Sequence, residues 1–275
     1  MKKTSVSLWL SLALGWSVFL AVPALAQTPA EPNGTARVDG GGTVHVATGF
    51  NFTVLLKSDG TLWAAGGNHF GQLADGSTED RPTFVQMKDI DGNPMTGVVA
   101  VTAGYNFAVA LKNDGTLWAT GGNHYGQLAD GTTNDRAGFV RMRDVDGKPM
   151  TGVVAVSSEH SLSYHTIALR NDGTVWAAGY NANGQLADGT TTNRPGFVLC
   201  KDERGAPMAG AMALAAGHNF TVVLKEDGTL WASGGNRYGQ LADGSNEDRA
   251  VFVPMKGADG KPMRGLAAPS PAKEP

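Results

Sequence analysis

The chain has 275 residues, 41% hydrophobic and 17% charged, enough apolar material to bury a core and too few charges for a disordered chain. Lysine plus arginine number 22 against 25 acidic residues, a net charge of −3, and a dedicated nucleic-acid binder would need a basic excess to neutralise phosphate. One cysteine excludes an internal disulfide framework and a cysteine-rich zinc site, and 38 glycines without a three-residue period point to short strands and many turns, not collagen.

Residues 1–26 read as a secretory signal peptide. Lys2 and Lys3 form a basic start, an apolar stretch runs from about Val6 to Val22, and Ala24-Leu25-Ala26 supplies a small-x-small cleavage site. Ser5, Ser7, Ser11 and Ser17 dilute the stretch, which is short of the ~20 apolar residues of a membrane span. Gln27 stands where a lipid-anchored chain would have cysteine, so the expectation is an exported protein, periplasmic or secreted, with no membrane contact after cleavage. Losing Lys2 and Lys3 takes the charge from −3 to −5. Residues 27–42 read as a flexible linker and 266–275 as a disordered tail, both rich in Pro, Ala or Gly.

Between them one unit is written four times, at about 43–97, 98–152, 153–210 and 211–265. Trp63, Trp118, Trp176 and Trp231 recur at intervals of 55, 58 and 55 residues. Asp-Gly at Asp59, Asp114, Asp172 and Asp227 keeps the same spacing, as does Gly-Gln-Leu at Gly71, Gly126, Gly184 and Gly239. Three extra residues fall between Val156 and Thr166. In the second copy Val98–Val101, Phe107–Leu111, Thr116–Ala119 and Phe139–Met142 read as strands, with Asp114-Gly115 as a type I′ hairpin turn. No sustained 3.6-residue apolar period occurs, so helices are minor. Cys200 stands where other copies have Met87, Met142 and Met255, which marks it as a small buried hydrophobe.

A unit of four short strands cannot bury both faces alone, and stacking such sheets radially is the logic of a propeller blade. The pattern Leu-Lys-x-Asp-Gly-Thr-Leu-Trp-Ala followed by Gly-x-Asn-x-x-Gly-Gln-Leu-x-Asp-Gly closely resembles repeats of the regulator of chromosome condensation family, in an exported bacterial form. The resemblance covers residues 43–265 and implies an all-β fold: a β-propeller of four regulator-of-chromosome-condensation-type blades, closed or nearly closed, used mainly to bind proteins. Two features depart from the family. Its rings usually have seven blades, and its Gly-Gln-Leu-Gly-Asp-Gly appears here as Gly-Gln-Leu-Ala-Asp-Gly. Four blades either tighten into a ring, with Thr43–Val46 filling the slot beside the last copy, or leave open edges that a homodimer would cover.

Residues repeated through the copies read as blade maintenance: Asn68, Asn123, Asn181 and Asn236 bonding turn backbone, and Asp80-Arg81, Asp135-Arg136 and Asp248-Arg249 pairing charges within one loop, with Asn193-Arg194 in the third copy. Asp89-Ile90-Asp91-Gly92 lacks the third oxygen and closing Glu of a calcium loop and reads as a hairpin turn. Positions that vary carry the candidate site. His69-Phe70, His124-Tyr125, Ala182-Asn183 and Arg237-Tyr238 occupy one equivalent pair, and Phe50, Tyr105, Ser163 and His218 form a second column. Aromatics and Arg suit protein contacts. The binding candidates are therefore His69, Phe70, His124, Tyr125, Asn183, Arg237 and Tyr238, with no catalytic residue, metal or cofactor expected.

The leading function is an exported non-catalytic scaffold binding an unknown protein partner, inhibition of an enzyme being one form the resemblance allows. The rival is a propeller lyase or hydrolase around Glu159, His160 and His165 in the third copy. Guanine-nucleotide exchange, the best-known activity of the resembled family, fits an exported chain least.

Overall fold

The computed structural model describes residues 19–20, 35–38, 42–158 and 163–264, so most of the expected signal peptide, most of the linker, the tail and Glu159–Leu162 lie outside the described residues. Strands β1 (Phe19–Leu20) and β2 (Thr35–Val38) precede the repeats. The first blade is β3 (Gly42–Thr48), β4 (Phe52–Leu56), β5 (Leu62–Gly66) and β6 (Arg81–Gln86). The second is β7 (Val98–Ala103), β8 (Phe107–Lys112), β9 (Leu117–Gly121) and β10 (Arg136–Arg141). The third is β11 (Val153–Ser157), β12 (His165–Arg170), β13 (Val175–Gly179) and β14 (Arg194–Leu199). The fourth is β15 (Ala211–Ala216), β16 (Phe220–Lys225), β17 (Leu230–Gly234) and β18 (Arg249–Pro254). Each blade is an antiparallel meander in chain order, and the described residues contain no helix. β2 adds to the edge of β3, and β1 to the edge of β15.

Neighbouring blades cover both faces of the inner sheets, so β8 and β12 are buried at five successive positions instead of alternating. In the first blade β4 alternates buried and half-buried, because only one of its faces is covered. Three apolar cores lie between successive blades. Val54, Leu62, Leu73 and Met87 pack with Val101, Ala110 and Phe139, and corresponding sets join the second blade to the third and the third to the fourth. Backbone hydrogen bonds stitch the same joints: Phe139 N–H to Lys88 O (3.0 Å) and Gly76 N–H to Ala137 O (2.9 Å), repeated by Phe197 to Arg143, Gly131 to Pro195, Phe252 to Lys201 and Gly189 to Ala250.

Three expectations need correction. Thr43–Val46 does not sit beside the last copy; it belongs to β3, paired with β4 in its own blade. The Asp-Gly turns are not type I′, which needs two positive φ angles. Only the glycine is left-handed (Gly115, φ 74°), while Asp114 Oδ1 accepts the Thr116 N–H at 3.0 Å and holds a longer loop. All four repeat tryptophans are half-buried. Trp118 is half-buried against the first joint; its Nε1–H donates to Thr116 Oγ1 (3.1 Å), and the Lys112 ammonium lies 5.5 Å from the ring centroid. Lastly, the arginines ignore their sequence neighbours. Arg136 grips Asp130, not Asp135, with Nε donating to Oδ2 at 2.7 Å, and the other three copies repeat the choice.

Asp135 instead holds backbone, its Oδ1 accepting the Asn123 N–H at 2.7 Å. In the third copy Asn193 does the same for Asn181 at 2.9 Å, which explains the Asp-to-Asn exchange, since only an acceptor oxygen is required. Burial pushes the Asp130 carboxyl up, but the hydroxyl of Thr132 and the guanidinium of Arg136 outweigh it and hold the group below its usual range. Asp75, Asp188 and Asp243 follow the same balance. The Asp89 turn is confirmed as a turn, with Asp89 Oδ1 accepting the N–H groups of Asp91 and Asn93. Ala74, Ala129, Ala187 and Ala242 have φ of 45–51°, the left-handed region that glycine fills at less cost. Cys200 is fully buried, and burial with the nearby Asp188 charge pushes its thiol pKa up, as befits packing.

Candidate functional site

The loop joining the first and second strands of each blade and the loop following the third strand emerge at the same end, because the start of the second strand pairs with the end of the third (Phe107 with Gly121). Both variable columns therefore share one face. On it the rings form a continuous row. Phe50 stacks on Tyr105 (centroids 4.7 Å apart, 22° between planes), Tyr105 meets Tyr164 (5.1 Å), Tyr164 meets Tyr125 (5.2 Å) and Tyr125 meets Tyr180 (4.9 Å). These separations are those of favourable ring pairs. The row crosses three blades, and backbone bonds from Phe50 N–H to Tyr105 O and from Tyr105 N–H to Ser163 O (both 3.0 Å) set its pitch.

The third blade makes the row possible through a paired exchange. Gly67, Gly122 and Gly235 have no room for a side chain, since a Cβ there would stand 2.2–2.5 Å from Asn51, Asn106 or Asn219. In the third blade that asparagine is Tyr164, and the glycine has become Tyr180. The two tyrosines fill the place together and flank Tyr125. Burial, with help from the rings of Tyr105 and Tyr125, raises the Tyr164 pKa and keeps its phenol neutral.

Of the sequence candidates, Tyr125 sits within the row, and Phe70 lies edge-on to His124 across the first joint, the ring centroids 5.8 Å apart. His69 and His124 are exposed, 3.9 Å from Asp80 and 3.7 Å from Asp135. Asn183, Arg237 and Tyr238 come together elsewhere on the face, in a cleft of about 680 Å³ lined also by His218, Gln240 and Asp248. Asn183 donates to Asp248 at 2.7 Å across the third joint, Arg237 lies 5.7 Å from the Tyr238 ring, and Tyr238 is 82% exposed. Tyr180 was missed, although the third copy's Gly-Tyr-Asn in place of Gly-Gly-Asn announced it.

His165 takes the position of Phe52, Phe107 and Phe220 and is fully buried, its Nδ1 3.1 Å from Ser163 Oγ and its Nε2 3.1 Å from Thr221 Oγ1. It is a core residue with engaged ring nitrogens; Glu159 and His160 lie outside the described residues. Burial, then the nearby His218, lowers its pKa to about 3. Below pH 6.5 the unfolded chain gains a proton that the folded chain refuses. Stability therefore falls as pH drops from about 6.5 toward 3, by at most about 1.4 kcal/mol per pH unit. Urea unfolding at pH 7 and pH 5 is expected to show a drop about 2 kcal/mol smaller in His165→Phe than in the parent. Among the described residues no group of three or more His, Cys, Asp or Glu stands ready to hold a metal, and no helix is long and apolar enough to cross a membrane.

Meander blades joined face to face, with variable loops gathered at one end, define a β-propeller repeat protein. Family models described as the regulator of chromosome condensation (RCC1) repeat match residues 44–72, 98–127, 163–185 and 213–240, and a second such model matches 59–111. The chain belongs to the regulator of chromosome condensation repeat family. It is similar to the ultraviolet-B receptor UVR8 of Arabidopsis thaliana, 29% identical over 223 residues covering 81% of this chain and 48% of the receptor. Human WBSCR16 superposes with a TM-score of 0.62 at 22% identity, over 77% of this chain and 52% of that one. Yeast RCC1 (Prp20), solved bound to Kap60, gives 0.61 at 17% identity, over 81% of this chain and 51% of that one. The chain thus spans about half the length of these proteins.

Proposed function

We propose that the protein is an exported, non-catalytic propeller that captures another protein on its loop face. The observation that carries this reading is the row of aromatic rings running from Phe50 to Tyr180, a large amphipathic contact area held rigid by neighbouring blades. The cleft at Arg237 and Tyr238 adds directional groups at the other end of the face. Yeast RCC1, solved in complex with Kap60, offers an analogy for a propeller engaging a protein. Export rests on the basic, apolar and small-residue pattern of residues 1–26. Cleavage after Ala26 would also remove β1 from the edge of β15.

The test is capture of protein from the native exterior on immobilised chain. The double variant Arg237→Ala with Tyr238→Ala is expected to lower the captured partner's affinity about 30-fold or more. Its unfolding free energy is expected to stay within about 0.5 kcal/mol of the parent, because both side chains are exposed. Unchanged capture, or a collapse in stability, would remove these residues from the interface.

A further inference from the structure

The three joints between blades are built alike, and the outer faces of the first and fourth described blades resemble the two halves of such a joint. At each joint a phenylalanine of the later blade's outer strand is sealed against the earlier blade: Phe139, Phe197 and Phe252 are all 0% exposed. Their counterpart in the first blade is Phe84, which is 47% exposed. The same holds across the sheet. Val101, Val156 and Leu214 are at most 1% exposed, whereas Val46 in the equivalent position is 39% exposed; Ala110, Ala168 and Val223 are sealed, whereas Leu55 is half-buried.

The fourth blade presents the matching surface. Val109, Leu117, Met142 and Phe107 of the second blade are 0% exposed beneath the third. Their equivalents Val222, Leu230, Met255 and Phe220 form a small separate cluster around Ala232 and Leu241, with Leu230, Met255 and Phe220 only partly buried. Each joint also pairs a phenylalanine with an aspartate by a parallel bridge: Asp89 with Phe139, Asp144 with Phe197, and Asp202 with Phe252. The next residue in that series is Gly257, and the described residues give it no such bridge. No strand pairing or backbone hydrogen bond among the described residues joins the first blade to the fourth.

We infer that the occupant of these two faces is a second copy of this chain, with Phe84 of each copy seated on the fourth blade of the other. Continuity points to it: a face that fits the first blade's homologues three times over is already drawn on the fourth blade. Two copies related by a two-fold along the ring axis close eight blades, each turned by about 45°, within the range known for propellers. The seated phenylalanine supplies Phe84 N–H for Lys256 O, and Gly244 N–H meets Pro82 O, repeating the stitches of the internal joints. The ring also brings Phe50 of one copy beside His218 of the other, as Phe50 stands beside Tyr105 within the chain. This inference stands on the blade faces and is independent of the partner proposed for the loop face.

Native mass and sedimentation of the full chain across a concentration series test it. The parent is expected to be a dimer. Phe84→Glu is expected to weaken association about 100-fold while keeping the β-sheet spectrum, since that ring is already half in water in the single chain. The double variant Phe84→Cys with Gly257→Cys is expected to form a disulfide-linked dimer on oxidation. Bridge-paired residues fall within the Cα separation of about 4.4–6.8 Å that a disulfide needs, and buried Cys200 does not compete. A parent that stays monomeric at every concentration would overturn the inference and assign the end faces to cover by other residues of the same chain. So would a disulfide within one chain, which would show that the four blades close on themselves, and so would an open polymer in place of a dimer.

Discussion

Phe139→Ala is expected to lower the unfolding free energy by about 3–5 kcal/mol, and Phe84→Ala, measured where the chain is monomeric, by less than about 1 kcal/mol. The two residues sit at the same position of the same strand in successive repeats, and both belong to an Arg-x-x-Phe-Val sequence. What differs is the neighbour. Phe139 is fully buried among Leu62, Leu73 and Met87 of the preceding blade, and its truncation leaves a cavity that two stitched sheets cannot collapse to fill. Phe84 has no blade behind it among the described residues and is 47% exposed, so truncation removes little buried surface and opens no void. Urea unfolding of the two variants side by side checks the contrast. Equal losses would mean that Phe84 is already covered in the single chain, and the account of joint stability as a nearest-neighbour sum would fail.

That contrast also shows where the sequence stops speaking. The blades were legible because their determinants are local and repeated: an asparagine, an aspartate-glycine turn and a tryptophan at fixed spacing give the same meander in each copy. Whether another blade packs behind a given one is not written in it, since Phe84 and Phe139 are the same residue in the same motif. The choice of Asp130 over Asp135 by Arg136 was hidden for a related reason. The loop from Gly122 to Asp135 folds back on itself, and six residues along the chain become closer in space than one. Tyr164 and Tyr180 are 16 positions apart and meet only because β12 and β13 are paired, with His165 opposite Gly179. The loop face was readable as two variable columns. The row of rings was not, because it needs strand register and blade pitch together.

The asparagine repeated in every blade predicts the other large effect. Asn123 is fully buried; its Nδ2 donates to Thr132 O (3.1 Å), Asn134 O (3.0 Å) and Asp130 Oδ1 (3.2 Å), while its Oδ1 accepts the Leu128 N–H at 2.9 Å. One amide, itself sealed from water, thus closes a loop of eleven residues. Asn123→Asp keeps the shape and reverses the chemistry. The new oxygen would face two carbonyls and a carboxylate held ionised by the Thr132 hydroxyl and Arg136, with no hydrogen to offer. The expected loss at pH 7 is about 3–5 kcal/mol, the range for stranding a buried charge. In that variant the folded-state pKa of the new carboxyl must lie above its unfolded value, so the folded chain binds a proton more readily than the unfolded chain. The deficit relative to the parent is therefore expected to shrink as pH falls from 7 to 5 and to widen again on return. Urea unfolding at the two pH values checks both the size and the sign. A deficit independent of pH would mean that the amide acts through its volume and not through its hydrogen atoms.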